Sequence, residues 1–254
     1  MSEEGRRPVG VVLAAGLGTR LRPLTDLRPK ALCPVLDVPL VDWAVERVRP
    51  FVKAVAVNVH AGRAQMEAHL AGRGLHLSVE EELLGTAGAL GRLRDWIDGR
   101  PVLLANADAW HRFDLRMLVA DWDGVRPRLL VVRDEARGDF GPWRYVGTAL
   151  LPWADVAGLE TVPVPVGLYD TSWRRHAERG TLDLCPVAGP FFDCGTPADY
   201  LAANLSANGG QSVIGRGARV DGEVLRSVVW PGAVVEAGER LVDAIRADGL
   251  TVQT

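Results

Sequence analysis

Residues 9–30 read VGVVLAAGLGTRLRPLTDLRPK, an apolar run that leads into a glycine turn and a basic stretch. An apolar, β-branched run followed by glycines predicts a strand that ends in a tight turn. Gly16 and Gly18 let the backbone approach an anion, and the amides that follow point at it. Clustered like charges repel one another, so the basic stretch needs either solvent or an anionic partner. Its cations are Arg20, Arg22, Arg28 and Lys30.

The glycine spacing argues against two common phosphate-binding motifs. Position 21 is Leu, so the third glycine of the dinucleotide fingerprint is missing, and the P-loop pattern is absent from the sequence. Lysine is scarce, because only Lys30 and Lys53 occur in the chain. A chain that otherwise uses arginine keeps a compact point charge at position 30. We therefore expect Lys30 to be functional, and Arg22 and Arg28 to be merely solvated.

Further apolar runs follow at residues 54–60, 75–80, 101–108 and 128–135, and helix-like stretches lie between several of them. Near-continuous apolar strands that alternate with helices indicate a sheet covered on both faces. The fold class predicted is α/β, a Rossmann-like mixed and mainly parallel sheet with helices on both faces. Ligands of such sheets bind outside the carboxyl ends of the strands. The segments GLGTR, EEELLGTAG and NADAW fall there.

The chain divides into a main domain and a tail. The main domain is predicted over residues 1–204, and its less regular part, about 134–190, is expected to close over a second substrate. The tail, residues 205–254, contains VIGRGA and VWPGAV, which are hexapeptide-like units typical of a left-handed β-helix. It has room for about two coils, so it needs a neighbour to pack on. An ordinary strand-rich extension remains the open alternative to the β-helix. The neighbour is expected to be the main domain or another subunit, so a homo-oligomer formed through the tail stays open.

Composition restricts the class of protein. The formal net charge is −3, which argues against a general nucleic-acid surface. Three cysteines without zinc-type spacing fit a reducing compartment. The N-terminus, MSEEGRRPVG, is too short and too charged for a signal peptide, and no apolar run reaches about 20 residues. We expect a soluble cytoplasmic protein with no membrane partner.

The longer string, G-x-G-T-R followed by Pro23, Thr25, Pro29 and Lys30, resembles the signature of the sugar-1-phosphate nucleotidyltransferases. LLGTAGAL is similar to the base-binding segment of that family, LLANADAW to its first metal site and FFDCGTPADYLAAN to its second. These motifs cover most of residues 9–204. Their details most resemble bacterial mannose-1-phosphate guanylyltransferases and N-acetylmuramate-1-phosphate uridylyltransferases.

The resemblance implies an enzyme that transfers a nucleotidyl group from a nucleoside triphosphate to a sugar 1-phosphate. It implies that Arg20 grips the nucleotide phosphates and that Lys30 contacts the phosphates where the new bond forms. It also implies that Asp108 and Asp193 hold Mg²⁺, each at a strand end, where Asp often caps a turn instead. The family usually has Gly where this chain has Ala107.

The resemblance also implies a nucleotide-binding set. Glu80 lies where a base-reading side chain is expected, and a carboxylate accepts hydrogen bonds only. An acidic run is more often a solvated edge, so that alternative stays open for Glu80. Gly85 would let the base approach the backbone. The full set is Ala14, Ala15, Gly16, Gly18, Thr19, Arg20, Glu80, Gly85 and Thr86.

The resemblance is weakest at the sugar end. YVGTALL is similar to the family strand with a sugar-contacting glycine, which makes Gly147 the candidate, with Thr148 behind it. The Glu-Lys-Pro segment of many relatives is missing. Two alternatives therefore stay open: a nucleotidyltransferase for a non-sugar phosphate such as phosphocholine, and a catalytically silent homologue that binds nucleotide sugar and regulates a partner.

Overall fold

The computed structural model describes residues 7–160 and 165–254. Strands are numbered along the chain within these ranges. They are β1 Val9–Leu13, β2 Pro34–Val35, β3 Val38–Pro39, β4 Val55–Val59, β5 His76–Val79, β6 Val102–Asn106, β7 Ala109–His111, β8 Arg128–Arg133, β9 Trp143–Leu151, β10 Asp183–Pro186, β11 Phe191–Asp193, β12 Val213–Ile214, β13 Arg219–Val220, β14 Glu223–Leu225, β15 Val228–Val229, β16 Val234–Val235, β17 Arg240–Val242, β18 Ala244–Ala247 and β19 Leu250–Gln253.

The α-helices are numbered in the same way. They are α1 Leu24–Leu27, α2 Leu40–Val48, α3 Arg63–Leu70, α4 Gly85–Ile97, α5 Arg116–Val119, α6 Trp153–Ala157, α7 Arg174–Glu178 and α8 Pro197–Ala207. Short 3₁₀ turns occur at Thr19–Leu21, Lys30–Leu32 and Arg49–Phe51, and a π-helical turn occurs at Tyr169–Trp173.

The described residues form two compact units. The first comprises residues 7–16, 44–107 and 112–189, and the second comprises residues 17–43, 108–111 and 190–254. The domain boundary predicted at residue 204 stays a prediction. Residues 1–6 of the predicted main domain lie outside the described residues. So do residues 161–164 of its less regular part.

The first unit is built on a seven-stranded sheet with the order β10-β8-β9-β6-β1-β4-β5. β1 pairs in parallel with β4 and β6, β4 with β5, and β8 with β10, whereas β9 is antiparallel to both of its neighbours. All the apolar runs used for the prediction form strands of this sheet. The predicted mixed, mainly parallel α/β sheet is therefore confirmed.

The core of the first unit lies between the sheet and α4. Leu90, Leu93 and Ile97 recur at helical spacing on α4, and each is at most 2% exposed. They pack with buried strand residues such as Val9 and Val102. Burial of each such side chain contributes roughly 1.5–3 kcal/mol, so this face holds α4 against the sheet. α4 begins at Gly85, within the predicted base-binding segment.

The second unit combines the basic stretch, two short antiparallel pairs and the tail. β7 pairs with β11, and β2 pairs with β3. In the tail, short strands pair in parallel in three small sheets: β12 with β15 and β15 with β18, β13 with β16, and β14 with β17. β18 and β19 close the chain as an antiparallel pair. The tail thus forms short parallel rungs.

Thr196 followed by Pro197 predicts the start of a helix, and α8 begins there. The backbone N–H of Asp199 donates to the hydroxyl of Thr196 at 3.2 Å, and Pro197 occupies the first helical position. This hydrogen bond satisfies one of the amides that a helix N-terminus leaves free. Within residues 7–160 and 165–254, no helix is long and apolar enough to cross a membrane.

Candidate functional site

The second unit brings together the lysine of the basic stretch and both predicted metal ligands. Nζ of Lys30 lies 2.6 Å from Oδ2 of Asp108 and 3.8 Å from Oδ1 of Asp193. The lysine side chain is 10% exposed, and the two aspartates are 36% and 37% exposed. A nearly buried ammonium thus lies between two carboxylates that reach solvent.

The pairing of β7 with β11 places the two acids side by side. The backbone of Asp193 is opposite Ala109, and the amide of Cys194 donates to the carbonyl of Asp108 at 3.0 Å. One acid therefore precedes β7 and the other ends β11, at the same end of an antiparallel pair. The two carboxylates, 85 positions apart in the chain, become neighbours only through this pairing.

Gly18 and Gly195 leave room for the charged groups of the site. Gly18 has φ +65°, and a Cβ there would lie 2.9 Å from Cβ of Lys30. A Cβ on Gly195 would lie 3.2 Å from Nη2 of Arg20 and 3.4 Å from Oδ1 of Asp193. The guanidinium of Arg20 and the carboxylate of Asp193 therefore both lie against Gly195. Arg20 itself is exposed.

The other two arginines of the basic stretch differ from each other. Arg22 is exposed and pairs with Asp26 at 3.3 Å, as expected of a solvated side chain. Arg28 is half-buried, and its guanidinium carbon lies 4.3 Å from the centre of the Trp230 ring. The prediction that Arg28 is merely solvated is wrong, because a residue of the tail covers its planar group.

Two thiols and a phenol are buried in the second unit. Burial raises the pKa of the Cys33 thiol to about 12, although Arg28 and Lys30 act in the opposite direction. Burial also raises the pKa of Cys194 and that of Tyr200 well above their ordinary values. These groups stay protonated near neutral pH, so they add no negative charge beside Lys30.

The first unit holds the predicted base-binding residues in a buried chain of hydrogen bonds. The amide of Ala14 donates to Oδ1 of Asn58 at 2.6 Å, and Nδ2 of Asn58 donates to Oε1 of Glu80 at 2.7 Å. Oε2 of Glu80 accepts from the amide of Leu84 at 3.2 Å. Asn58 is 4% exposed and Glu80 is 3% exposed. This relay ties the turn after β1 to the start of α4.

The relay bears on the two alternatives for Glu80. Its side chain is not a solvated edge, because it is buried and both of its oxygens accept hydrogen bonds. Its neighbour Glu81 is the solvated acid, with a side chain 82% exposed. Direct base reading by Glu80 stays a prediction, as do the nucleotide contacts of Ala14, Ala15 and the glycines.

Gly85 and Thr86 contact the segment around Val166. Gly85 has φ +72°, and a Cβ there would lie 2.5 Å from the backbone N and O of Val166. The hydroxyl of Thr86 accepts from the amide of Leu168 at 2.8 Å. Only glycine therefore fits at position 85, and the reason visible in the structure is this close approach of backbone.

Gly147 lies at an irregularity of β9. It has φ +79°, and the pairing of β9 with β8 shifts register between Leu129 and Val131. Thr148 is fully buried and lies opposite Ala105 of β6. β-bulges are over-represented beside active sites, where they redirect a side chain or interrupt pairing. Sugar contacts by Gly147 and Thr148 stay a prediction.

Sequence reasoning missed two residues with structural roles. Asn58 lay inside an apolar run, where a single buried polar residue could have served as the signal. Trp230 lay inside a hexapeptide-like unit, and nothing in that unit points to Arg28. Among the described residues, no group of three or more His, Cys, Asp or Glu side chains could hold a metal ion by itself.

Comparison with known proteins identifies relatives of this chain. The family model described as nucleotidyl transferase matches residues 9–135. An N-acetylmuramate alpha-1-phosphate uridylyltransferase from Caulobacter vibrioides is 40% identical over 235 residues, which covers 77% of this chain and 95% of the relative. A relative of the same description from Neisseria meningitidis is 35% identical over 106 residues, covering 39% of this chain and 46% of the relative.

Solved structures agree at the level of fold. A protein described as a glucose-1-phosphate thymidylyltransferase from Bacillus anthracis superposes with a TM-score of 0.69 at 19% identity, covering 78% of this chain and 94% of that one. HddC from Yersinia pseudotuberculosis gives a TM-score of 0.64 at 19% identity, covering 79% of this chain and 99% of that one. The matched fold, the family model and the long uridylyltransferase match together show that this chain belongs to the nucleotidyl transferase family.

Proposed function

We propose that this nucleotidyltransferase joins a nucleoside triphosphate to a sugar 1-phosphate, with Mg²⁺, to give a nucleotide sugar and pyrophosphate. A phosphate oxygen of the sugar phosphate attacks the α-phosphorus. The bond between that phosphorus and the bridging oxygen breaks, and pyrophosphate leaves. The observation that carries the proposal is the contact of Lys30 with both Asp108 and Asp193.

The donor set fits magnesium. Mg²⁺ prefers oxygen ligands and is usually held by one or two carboxylates together with substrate phosphates. Asp108 and Asp193 offer only oxygens, and both side chains are about a third exposed. The ion, when bound, would neutralise charge on the phosphates. Two acids, Lys30 and Arg20 together carry no net charge, so polyanionic substrates need such an added cation.

Two cations of the site, Lys30 and Arg20, then act on substrate oxygens. Lys30 is preorganised, because its ammonium is nearly buried and held by Asp108 at 2.6 Å. Donors fixed before the reaction stabilise developing charge without reorganisation. Arg20 is exposed and able to reach the nucleotide phosphates, while the amides of Gly16 and Gly18 supply further donors. The protein thereby aligns and neutralises two polyanions.

The first choice of substrates follows from the match over 235 residues. The Caulobacter relative is an N-acetylmuramate alpha-1-phosphate uridylyltransferase, so UTP and N-acetylmuramate α-1-phosphate are the first pair proposed. The phosphocholine alternative is not favoured: a choline-phosphate cytidylyltransferase from Streptococcus pneumoniae matches at 48% identity, but over 48 residues and 19% of this chain. The regulatory alternative is not favoured either, because Lys30, Asp108 and Asp193 are brought together.

The tail and its assembly belong to the proposal as well. The parallel rungs of β12 to β18 support a short β-helix, with strand pairs such as Val213 with Val228 repeating after one coil. A homo-oligomer formed through this tail, and a cytoplasmic location, are further proposals. Sedimentation of the purified chain at several concentrations measures the first of them.

The test is pyrophosphate release. UTP, GTP, dTTP, CTP and ATP are crossed with N-acetylmuramate α-1-phosphate, other sugar 1-phosphates and phosphocholine, each with Mg²⁺ and with EDTA. We expect one sugar pair to release pyrophosphate, with activity lost in EDTA and restored by Mg²⁺. Asp108→Asn keeps the size of the side chain but removes its charge, and it should lower kcat about 100-fold.

Asp114→Asn is the matched control, because it removes the same charge from an aspartate that pairs with the exposed Arg116. It should leave turnover unchanged. Activity that persists in EDTA, or equal turnover in the Asp108 and Asp114 variants, would refute the role of the metal. Release only with CTP and phosphocholine would overturn the sugar substrate.

A further inference from the structure

We infer that Trp230 of the tail is a positioning residue for Lys30. The inference rests on the proposed function of Lys30, but its geometry lies entirely within the second unit. Residues 28–36 are called the lysine segment below. They contain Lys30 and connect the basic stretch to β2 and the residues that follow.

Trp230 holds the beginning of the lysine segment. The ring of Trp230 is fully buried, and the guanidinium of Arg28 lies over it at 4.3 Å. A cation over an aromatic face contributes about 0.5–2 kcal/mol, more when the pair is removed from water. Arg28 is two positions before Lys30. Its stacking therefore restrains the backbone that carries the ammonium.

The same indole holds the middle of the segment through Tyr200. Nε1 of Trp230 donates to the hydroxyl of Tyr200 at 2.9 Å, and that hydroxyl donates to the carbonyl of Pro34. The two rings pack edge to face, with centroids 6.5 Å apart. A buried series of linked hydrogen bonds is costly to break, because each polar group left without a partner remains away from water.

Asn204, one turn further along α8, holds the end of the segment. Its Oδ1 accepts from the amide of Leu36 at 3.2 Å, and its Nδ2 donates to the carbonyl of Tyr200 at 3.1 Å. α8 starts shortly after Asp193. Both α8, which follows the predicted metal ligand Asp193, and the tail therefore contact the lysine segment. Trp230 links these two sets of contacts through its hydrogen bond to Tyr200.

Cys33 supplies a readout independent of activity. It lies within the lysine segment and is fully buried, so a thiol reagent reaches it only when the segment opens. Cys185 is only partly buried and is removed by Cys185→Ser. In that background the labelling rate of Cys33 is measured under native conditions by mass spectrometry of its peptide, beside kcat and KM.

The variants separate the stack from the hydrogen bond. Trp230→Phe keeps a ring for Arg28 but loses the N–H, and Arg28→Gln removes the cation. We expect each to raise Cys33 labelling about tenfold and to lower kcat about tenfold with KM changed less than about twofold. Arg28→Lys keeps the charge and should recover much of both. Arg28 lowers the pKa of Cys33, so its loss cannot raise labelling by making the thiol more acidic.

Leu241→Ala is the matched control, because Leu241 is buried in the same core but lies outside the contacts of Trp230 described above. It lowers stability through the same core but leaves the Arg28 stack and the hydrogen bonds of Trp230, Tyr200 and Asn204 in place. Labelling and kcat that change no more in Trp230→Phe and Arg28→Gln than in Leu241→Ala would overturn the inference. If the wild-type chain turns over no substrate pair, the proposed function fails, while Cys33 labelling still decides whether Trp230 holds the segment.

Discussion

Nζ of Lys30 lies 2.6 Å from Oδ2 of Asp108, although 78 positions separate them in the chain. The contact forms because the basic stretch and β7 meet in one unit. It holds an ammonium in place where a triphosphate is expected to bind. Preorganised charge of this kind is the largest contribution that such a protein can make to phosphoryl chemistry.

Replacement of Lys30 should affect turnover more than folding. We expect Lys30→Ala to lower kcat about 100- to 1,000-fold, because the transition state loses a fixed cation. Lys30→Arg restores the charge but not the compact shape, so it should recover only part of the rate. Steady-state pyrophosphate release measures both. The control is Arg22→Ala at an exposed position, and a similar loss in that variant would argue for a general charge effect.

Glu80 should determine stability rather than base preference. Glu80→Ala leaves Nδ2 of Asn58 and the amide of Leu84 buried without an acceptor, which costs about 1–3 kcal/mol for each group. We expect a lower free energy of unfolding and an unchanged ranking of the nucleoside triphosphates. Denaturant unfolding and competition between UTP and CTP measure the two effects. Glu81→Ala removes a neighbouring acid that is solvated and should change neither.

A variant whose base ranking shifts while its stability is unchanged would instead support direct base reading by Glu80. Glu80→Gln sharpens the distinction, because it keeps the shape of the side chain and exchanges one acceptor for a donor group.

Gly85→Ala should be strongly destabilising. Its methyl group would lie 2.5 Å from backbone atoms of Val166, and the residue has φ +72°. Gly99→Ala is the matched control, since Gly99 has φ +76° and open space where a Cβ would lie. The control measures the conformational penalty alone, about 1 kcal/mol. The melting temperature should fall further for Gly85→Ala than for Gly99→Ala. Equal decreases would mean that the backbone at Val166 shifts at little energetic cost.

Alkaline pH should destabilise the fold through Cys33. Its pKa is about 12 in the folded chain, above the ordinary thiol value of 9.0, so between pH 9 and pH 12 the unfolded chain releases the proton more readily. The free energy of unfolding therefore falls as pH rises from 9 towards 12, by up to about 1.4 kcal/mol for each pH unit from this group. Below pH 9 both states hold the proton, and the contribution is constant.

Cys33→Ala removes this dependence without adding a charge. Urea unfolding of the wild type and the variant at pH 8 and pH 10 should give a smaller pH difference for the variant. Identical pH differences would show that Cys33 is already accessible to solvent in the folded chain. Cys185→Ser serves as the control, because that thiol is only partly buried.

The sequence alone determined the features that depend on local pattern. Apolar runs such as residues 101–108 predict strands because burial on both faces requires continuous apolar side chains. Thr196 and Pro197 predict the start of α8 because a helix terminus needs its own acceptor. The ordered motifs around Lys30, Asp108 and Asp193 indicate the family because they resemble its known motifs.

Only the tertiary structure decided which groups meet. Strand order and register bring Asp108 beside Asp193, bury Glu80 against Asn58 and place Trp230 over Arg28. No local pattern encodes these contacts, because a hydrogen bond or a stacked ring depends on the distance between segments rather than on their periodicity. Sequence reasoning therefore finds the residues that carry the charge, whereas the three-dimensional pairing determines which neighbours hold them in place.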